Sequence, residues 1–307
     1  MKPAVRLCAL ALVTFALTLK AQQAPTLHLN SRLLTLALNV TDDHGAPVAN
    51  LTAADFELTE DNRPQRIAYF DQASASPLDI VLVVDVSESV APYQHLERAS
   101  ARAFLRSLPA AHSRIALIAF SDTVAESAAF TSNPRRIDTA LGHMHHGRAT
   151  ALYDAVSFAS QRLADTPSPP NTRRVIVLIT DGENTTRHGS YAAALEAAQR
   201  AGAMIYPLIL VPVTADAGRD TGGEHALMQL ASDTGGTSYT IAQQTDLTLA
   251  LERVSDDLRT QYALGYYPTA MAATSPIRHI HLKLINPALA AHYTLRYRTS
   301  YYASAQP

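Results

Sequence analysis

Two hydrophobic rhythms divide the chain. Residues 34–40, 56–59 and 65–70 alternate apolar and polar side chains over a few positions each, the period of strands with one face in a core. Between them lie Asp42-Asp43-His44-Gly45 and Glu60-Asp61-Asn62-Arg63. Such residues reach left-handed backbone or bond their own main chain, as hairpins require. From residue 77 the rhythm changes, and apolar runs at 80–84, 114–120, 175–180 and 203–210 read as strands in an α/β sheet, buried on both faces. Helical stripes separate the runs: Leu96, Ala99 and Ala103; Leu152, Val156, Ala159 and Leu163; Tyr191, Ala194, Leu195 and Ala198; Leu247, Leu251, Val254 and Leu258. Strand and helix in alternation predict a doubly wound parallel sheet. Past Gln261 strands return at 262–267, 277–285 and 293–299, broken by Pro268, Pro276 and Pro287.

The arrangement of the two rhythms predicts the domain plan. Three strands in about fifty residues bury too little apolar surface to stand alone, so the N-terminal β segment needs strands from elsewhere. The C-terminal segment offers them. We therefore expect residues 22–76 and 261–307 to pair into a small β-sandwich-like domain, with the α/β unit of residues 77–260 inserted between them. A length of 307 residues suffices for both. Lys plus Arg number 25 against 27 Asp plus Glu with no basic cluster, which argues against nucleic acid or an anionic membrane surface as a partner.

The N-terminus changes where the chain is expected to work. Lys2 and Arg6, the apolar run 7–19 and then Lys20-Ala21-Gln22-Gln23 resemble a secretory signal occupying residues 1–21. The run is too short to span a bilayer, so the mature chain is expected to have no transmembrane segment. It would be secreted, periplasmic or in the outer envelope. The single cysteine, Cys8, lies inside the signal, which leaves a mature chain without disulfides.

The chemistry concentrates where apolar runs stop. In PLDIVLVVDVSES, residues 77–89, the run ends at Asp85, and Ser87 and Ser89 follow at alternate positions. Thr150 precedes the stripe that begins at Leu152, and Asp181 follows Thr180 at the end of another strand. Three segments thus offer carboxylate and hydroxyl oxygens at the carboxyl ends of strands, where open α/β sheets bind ligands. Oxygen donors alone suit a hard divalent cation. The plain structural alternative is that the aspartates cap helices and the serines bond loop backbone.

The stretches DVSES, RATALYDA and LITDGEN, in that order, resemble the von Willebrand factor type A domain and its metal-ion-dependent adhesion site, over about residues 77–260. The flanks FELTEDNRPQRIAYF and LRTQYALGYYP resemble the secreted VWFA-related family frequent in Acidobacteria. The resemblance implies a Rossmann-like fold and one Mg²⁺, with Mn²⁺ or Ca²⁺ as alternatives. Ser87, Ser89 and Thr150 would then be neutral ligands, with Asp85 and Asp181 behind them. Few anionic ligands leave such an ion electrophilic, so an Asp or Glu carboxylate of a protein partner completes its shell. The chain departs from the common pattern at Glu88, between the serines, and at Arg148-Ala149, where many members carry glycines.

Other constellations carry less. His143, His145 and His146 read as exposed loop residues, because their spacing does not share one helical face. Tyr266 and Tyr267 read as packing near the domain junction. Gly222-Gly223 and Gly235-Gly236 read as turns around a short helix, since neither fits a phosphate-binding fingerprint. An aspartate ending a first parallel strand also serves as nucleophile in phosphohydrolases resembling the haloacid dehalogenase group. Those use a second aspartate where this chain has Ser87, and a serine cannot protonate a leaving group. No G-x-S-x-G elbow is present either. The expectation is a binding protein and not an enzyme, the competing picture being a structural or assembly subunit that holds no metal.

Overall fold

The computed structural model describes residues 33–72, 76–108, 113–169, 171–186, 188–211, 220–269 and 275–303. The predicted signal, residues 1–21, lies outside them. In chain order the elements begin with β1 (Leu34–Thr41), β2 (Phe56–Glu60), β3 (Arg63–Gln65), β4 (Ile67–Gln72), β5 (Leu78–Asp85), α1 (Gln94–Ser107), β6 (Ser113–Phe120), β7 (Val124–Thr131) and α2 (Pro134–Leu141). There follow α3 (Leu152–Asp165), β8 (Arg173–Thr180), α4 (Tyr191–Ala201), β9 (Ala203–Leu210), α5 (Thr221–Thr234), β10 (Tyr239–Ile241) and α6 (Gln244–Thr260). The last are β11 (Tyr262–Tyr266), β12 (Ile277–Leu284), α7 (Pro287–Ala290), β13 (Thr294–Arg296) and β14 (Ser300–Tyr302).

The apolar runs form a six-stranded sheet in the order β10-β9-β8-β5-β6-β7, parallel except for β7 at the edge. β5 is buried along its whole length because it lies between β6 and β8 and has helices over both faces. Its alternate residues feed two cores. Ile80, Leu82 and Val84 pack in the layer that holds Phe104, Ile137, Leu251 and Val254 of α1, α2 and α6. Val81 and Val83 pack with Leu152, Val156, Ala194 and Leu227 of α3, α4 and α5. The chain runs from β5 to β6 on one side and later returns to β8 on the other, which makes the β5–β8 boundary the switch point at which a crevice opens.

The flanking strands pair across the α/β unit. β1 lies between β11 and β13, and β2 lies between β12 and β3, giving the sheets β13-β1-β11-β4 and β14-β12-β2-β3. Leu36, Leu38, Phe56 and Leu58 from the first segment share one core with Tyr262, Leu264, Ile280 and Leu282 from the second. Phe70 sits 5.4 Å from the Phe56 ring and 5.2 Å from that of Tyr262, so each segment supplies part of the other's interior. The 60–63 turn has Asp61 and Asn62 both in the left-handed region, at φ 47° and 63°, which matches the right-handed twist of the β2–β3 hairpin. Tyr266 is buried in this core, whereas Tyr267 is exposed.

Several elements depart from the sequence expectation. The strand expected at 65–70 breaks into β3 and β4, and that at 293–299 shortens to β13 and is followed by β14. The paired glycines do not bound a short helix: α5 runs fourteen residues with Gly222 and Gly223 in its first turn and Gly235, at φ 82°, as its left-handed C-cap. On α1 the Leu96 side chain lies outside those described, and of the described ones Ala101, Phe104 and Leu105 are buried while Ala99 is exposed. Among the described residues no helix is long and apolar enough to cross a membrane.

Candidate metal centre

The three sequence segments meet at the carboxyl edge of β5, β6 and β8. Asp85 is the last residue of β5 and is fully buried, as is Thr180 at the end of β8. One Asp85 oxygen accepts from the Ser87 backbone N–H at 2.9 Å, and the other accepts from the Thr180 hydroxyl at 2.6 Å. That pair of bonds turns the chain just past the strand. It places the Ser87 hydroxyl, itself buried, 3.1 Å from that of the exposed Ser89. Gly182, at φ 92°, lets the other loop turn back beneath Asp181, and its N–H donates to Thr180 Oγ1.

Thr150 is positioned through its backbone. Its N–H donates to Thr185 Oγ1 at 2.8 Å, and its carbonyl accepts from the N–H groups of Thr185 and Thr186. Asn184 Oδ1 accepts from Leu152 N–H at 3.0 Å, so the loop after β8 caps the first turn of α3, for which Ala151 supplies no capping side chain. On the other side, the Asp122 carboxylate accepts from the N–H groups of Arg148 and Ala149 at 3.1 and 2.7 Å. These two bonds hold its carboxyl below the usual carboxylate range. Gly147 donates to the Val86 carbonyl and lies so close to Ser121 and Asp122 that a Cβ there would collide with both. Thr180, Asn184, Thr185 and Asp122 therefore hold the loops, and sequence reasoning singled out none of them. Their one signal was position, each being a polar residue at or just beyond an apolar strand.

The electrostatics are one-sided. Burial, and then the neighbouring Asp181 charge, push the Asp85 carboxyl up to about 6, against the hydrogen bonds from Thr180 and Ser87 that favour its ionised form. No cationic side chain is among the groups acting on it. Glu183 is also raised, by burial and by the charges of Asp181 and Asp220. A desolvated carboxyl with a second acid beside it and hydroxyls in front is a donor set that fits a hard cation. Among the described residues no three His, Cys, Asp or Glu side chains gather as a metal cluster, so an ion here depends on hydroxyl ligands.

At the mouth, Arg148 Nε and Glu88 Oε2 stand 4.0 Å apart with side chains 92% and 76% exposed, a pair that solvent screens almost completely. His143, His145 and His146 are exposed, and the His143 ring is tied back to the Thr139 carbonyl of α2.

The sequence profile of the von Willebrand factor type A domain matches residues 79–281. No curated protein matches the chain. Among solved structures, proximal thread matrix protein 1 from the mussel byssus, with a zinc-occupied MIDAS motif, aligns with a TM-score of 0.52 at 17% identity. The alignment covers 66% of this chain and 50% of that one. The pilus adhesin SpaC from Lactobacillus rhamnosus GG, in its open conformation, aligns with a TM-score of 0.51 at 12% identity, covering 82% of this chain and 44% of that one. BatB from Bacteroides thetaiotaomicron gives a TM-score of 0.47 at 17% identity, covering 59% of this chain and 98% of that one. At these identities the likeness is one of fold.

Proposed function

The chain belongs to the von Willebrand factor type A domain family, and from that premise we propose that it is an extracytoplasmic interaction protein that grips a protein partner through a bound divalent cation. In this reading Ser87, Ser89 and Thr150 supply neutral oxygens, and Asp85 and Asp181 supply the balancing charge. The ion is Mg²⁺, with Mn²⁺ or Ca²⁺ as alternatives, and the partner contributes an Asp or Glu carboxylate. Export of the chain after loss of residues 1–21 belongs to the same proposal. So does the division into an α/β unit at 77–260 inserted in a β unit of 22–76 and 261–307.

The observation that carries the reading is Asp85, a buried carboxyl at the switch point of the sheet with an acid and two hydroxyls for neighbours and, among the described residues, no positive charge to meet it. Proteins bury a charge uncompensated only at considerable cost, so a cation is the natural complement. Ser87 and Ser89 donate no charge, and an ion held there keeps affinity for an outside carboxylate. Arg148 and Glu88 flank the approach with side chains free to turn toward a ligand.

The test is capture of a partner from the native envelope or medium. Binding should occur in Mg²⁺, disappear in EDTA and return when Mg²⁺ or Mn²⁺ is restored. Capture that survives EDTA unchanged would instead favour a metal-free structural subunit.

The Asp85 carboxyl adds a pH dependence to the same site. Its unperturbed value is 3.8 and its folded value about 6, so the ion-free protein binds a proton more tightly when folded. This group's contribution to stability is therefore present at low pH and is lost as pH rises from about 4 through about 6. Ion binding needs the carboxylate, so affinity for Mn²⁺ should climb as pH rises through about 6 and level off above it. Calorimetry in buffers of different ionisation heat should show about three-quarters of a proton released per ion at pH 5.5 and almost none at pH 7.5. Equal affinity at pH 5 and pH 7.5 would remove Asp85 from the ion's surroundings.

A further inference from the structure

The β unit carries a second group of metal-binding side chains, remote in sequence from the oxygen site. β12 lies between β14 and β2, with His279 opposite Ser300 and His281 opposite Thr59. Alternation along the strand sends Ile280, Leu282 and Leu284 into the core and leaves His279, His281 and Lys283 exposed on the other face. The two histidines line one open depression of about 270 Å³ together with Thr59, Asp61 and Asn62.

The charged groups around the rings already have partners. Asp61 accepts from the His279 backbone N–H at 3.0 Å and from Arg278 Nη1 at 2.7 Å, and Lys283 pairs with Glu57 at 3.0 Å. Neither imidazole makes a hydrogen bond or ion pair among the described residues.

We propose that His279 and His281 form a two-imidazole site for a divalent transition ion, Zn²⁺, Ni²⁺ or Cu²⁺. Side chains two residues apart on one face of a strand leave the backbone about 7 Å from each other. From there two imidazole nitrogens can converge on one ion at about 2.0–2.1 Å each. The strand is hydrogen-bonded along both edges, so its backbone is ordered before the ion arrives and little entropy is lost on chelation. Imidazole selects Zn²⁺, Ni²⁺ and Cu²⁺, whereas Mg²⁺ selects oxygen, so ligand chemistry separates this site from the one at Asp85. Since no third His, Cys, Asp or Glu converges among the described residues, water fills the remaining positions and an outside donor can replace it.

The full chain should be titrated with Ni²⁺ in millimolar Mg²⁺ by calorimetry, with the histidine ring C–H signals followed by NMR. Wild type should bind one Ni²⁺ in this way, and the His279 and His281 ring signals should broaden first. His279→Ala and His281→Ala should each weaken binding about a hundredfold, because the second imidazole acts at high effective concentration. His145→Ala and Asp85→Asn should leave it unchanged. The proposal is overturned if both strand variants bind Ni²⁺ as wild type does, if the loss follows His145→Ala or Asp85→Asn instead, or if other histidines broaden first.

Discussion

Replacing Asp85 by Asn should abolish Mg²⁺ and Mn²⁺ binding while leaving the ion-free protein at least as stable as wild type at pH 7.5. Asparagine keeps the shape of the side chain and one oxygen, which can accept from the Ser87 N–H while the amide NH₂ donates to a turned Thr180 hydroxyl; it removes the charge and one acceptor. Taking one of two carboxylates from a site whose other ligands are neutral should cost affinity on the order of a hundredfold or more. Stability should move the other way. With a carboxyl raised from 3.8 to about 6, the ion-free wild type carries a penalty at neutral pH of roughly 3 kcal/mol, which the variant escapes in part or whole. Thermal unfolding with and without 10 mM Mg²⁺ separates the two effects. Wild type should gain melting temperature on adding Mg²⁺ and the variant should not, because only binding to the folded state shifts the transition. A variant that melts well below wild type without Mg²⁺, yet takes up Mn²⁺ normally, would make Asp85 a structural hydrogen-bond acceptor and nothing more.

How far the fold could be read from the sequence depended on where each strand lies. β5, β8 and β9 were legible as continuous apolar runs because parallel strands covered on both faces bury nearly every residue. β7 was not. Its Ala, Ser and Glu residues are mostly exposed, and it meets β6 through two register shifts, so no alternation marks it. α2 is short, yet Asn133 accepts from Arg135 N–H as its N-cap and Pro134 takes the first helical position. That Asn-Pro pair is a start signal that periodicity alone passes over. The Gly222-Gly223 pair misled for a different reason. A Cβ at Gly223 would run into the Gly182 carbonyl, so this glycine lets α5 approach the loop beside Asp181 rather than turn the chain.

The candidate site was half legible on the same grounds. Asp85, Ser87, Ser89, Thr150 and Asp181 stand out because each ends, follows or precedes a recognisable element. The groups that bring the loops together act across long stretches of chain: Thr185 on Thr150 and Asn184 on Leu152 each span more than thirty residues, and Asp122 reaches Arg148 and Ala149 across more than twenty-five. A tertiary hydrogen bond between two polar loops leaves no period in the sequence, and only the folded geometry reveals it.

Breaking the Asp257–Arg296 pair should destabilise the protein strongly. Asp257 lies near the C-terminal end of α6, which passes through Gln261 directly into β11, and Arg296 ends β13. Arg296 Nη2 donates to Asp257 Oδ1 at 2.9 Å, while Nη1 stands 2.9 Å from Oδ2 without hydrogen-bond alignment. The side chains are 9% and 18% exposed, so water screens them little. Asp257→Ala would leave a buried guanidinium without its carboxylate, a loss of about 3–5 kcal/mol and on the order of 10 °C in melting temperature. Asp257→Leu combined with Arg296→Met should recover much of that loss, since apolar side chains of similar volume carry no desolvation cost. Arg173, at the opposite end of β8 from Thr180, donates to the Leu258 carbonyl and holds the end of the same helix. Eight strand residues therefore separate this junction from the oxygen site, roughly 23 Å or more, and the folded Asp257→Ala protein should bind Mg²⁺ as wild type does. A loss below about 1 kcal/mol would mean that the pair behaves as a solvated surface bridge. A large change in Mg²⁺ affinity would mean that α6 transmits the junction's state to the site.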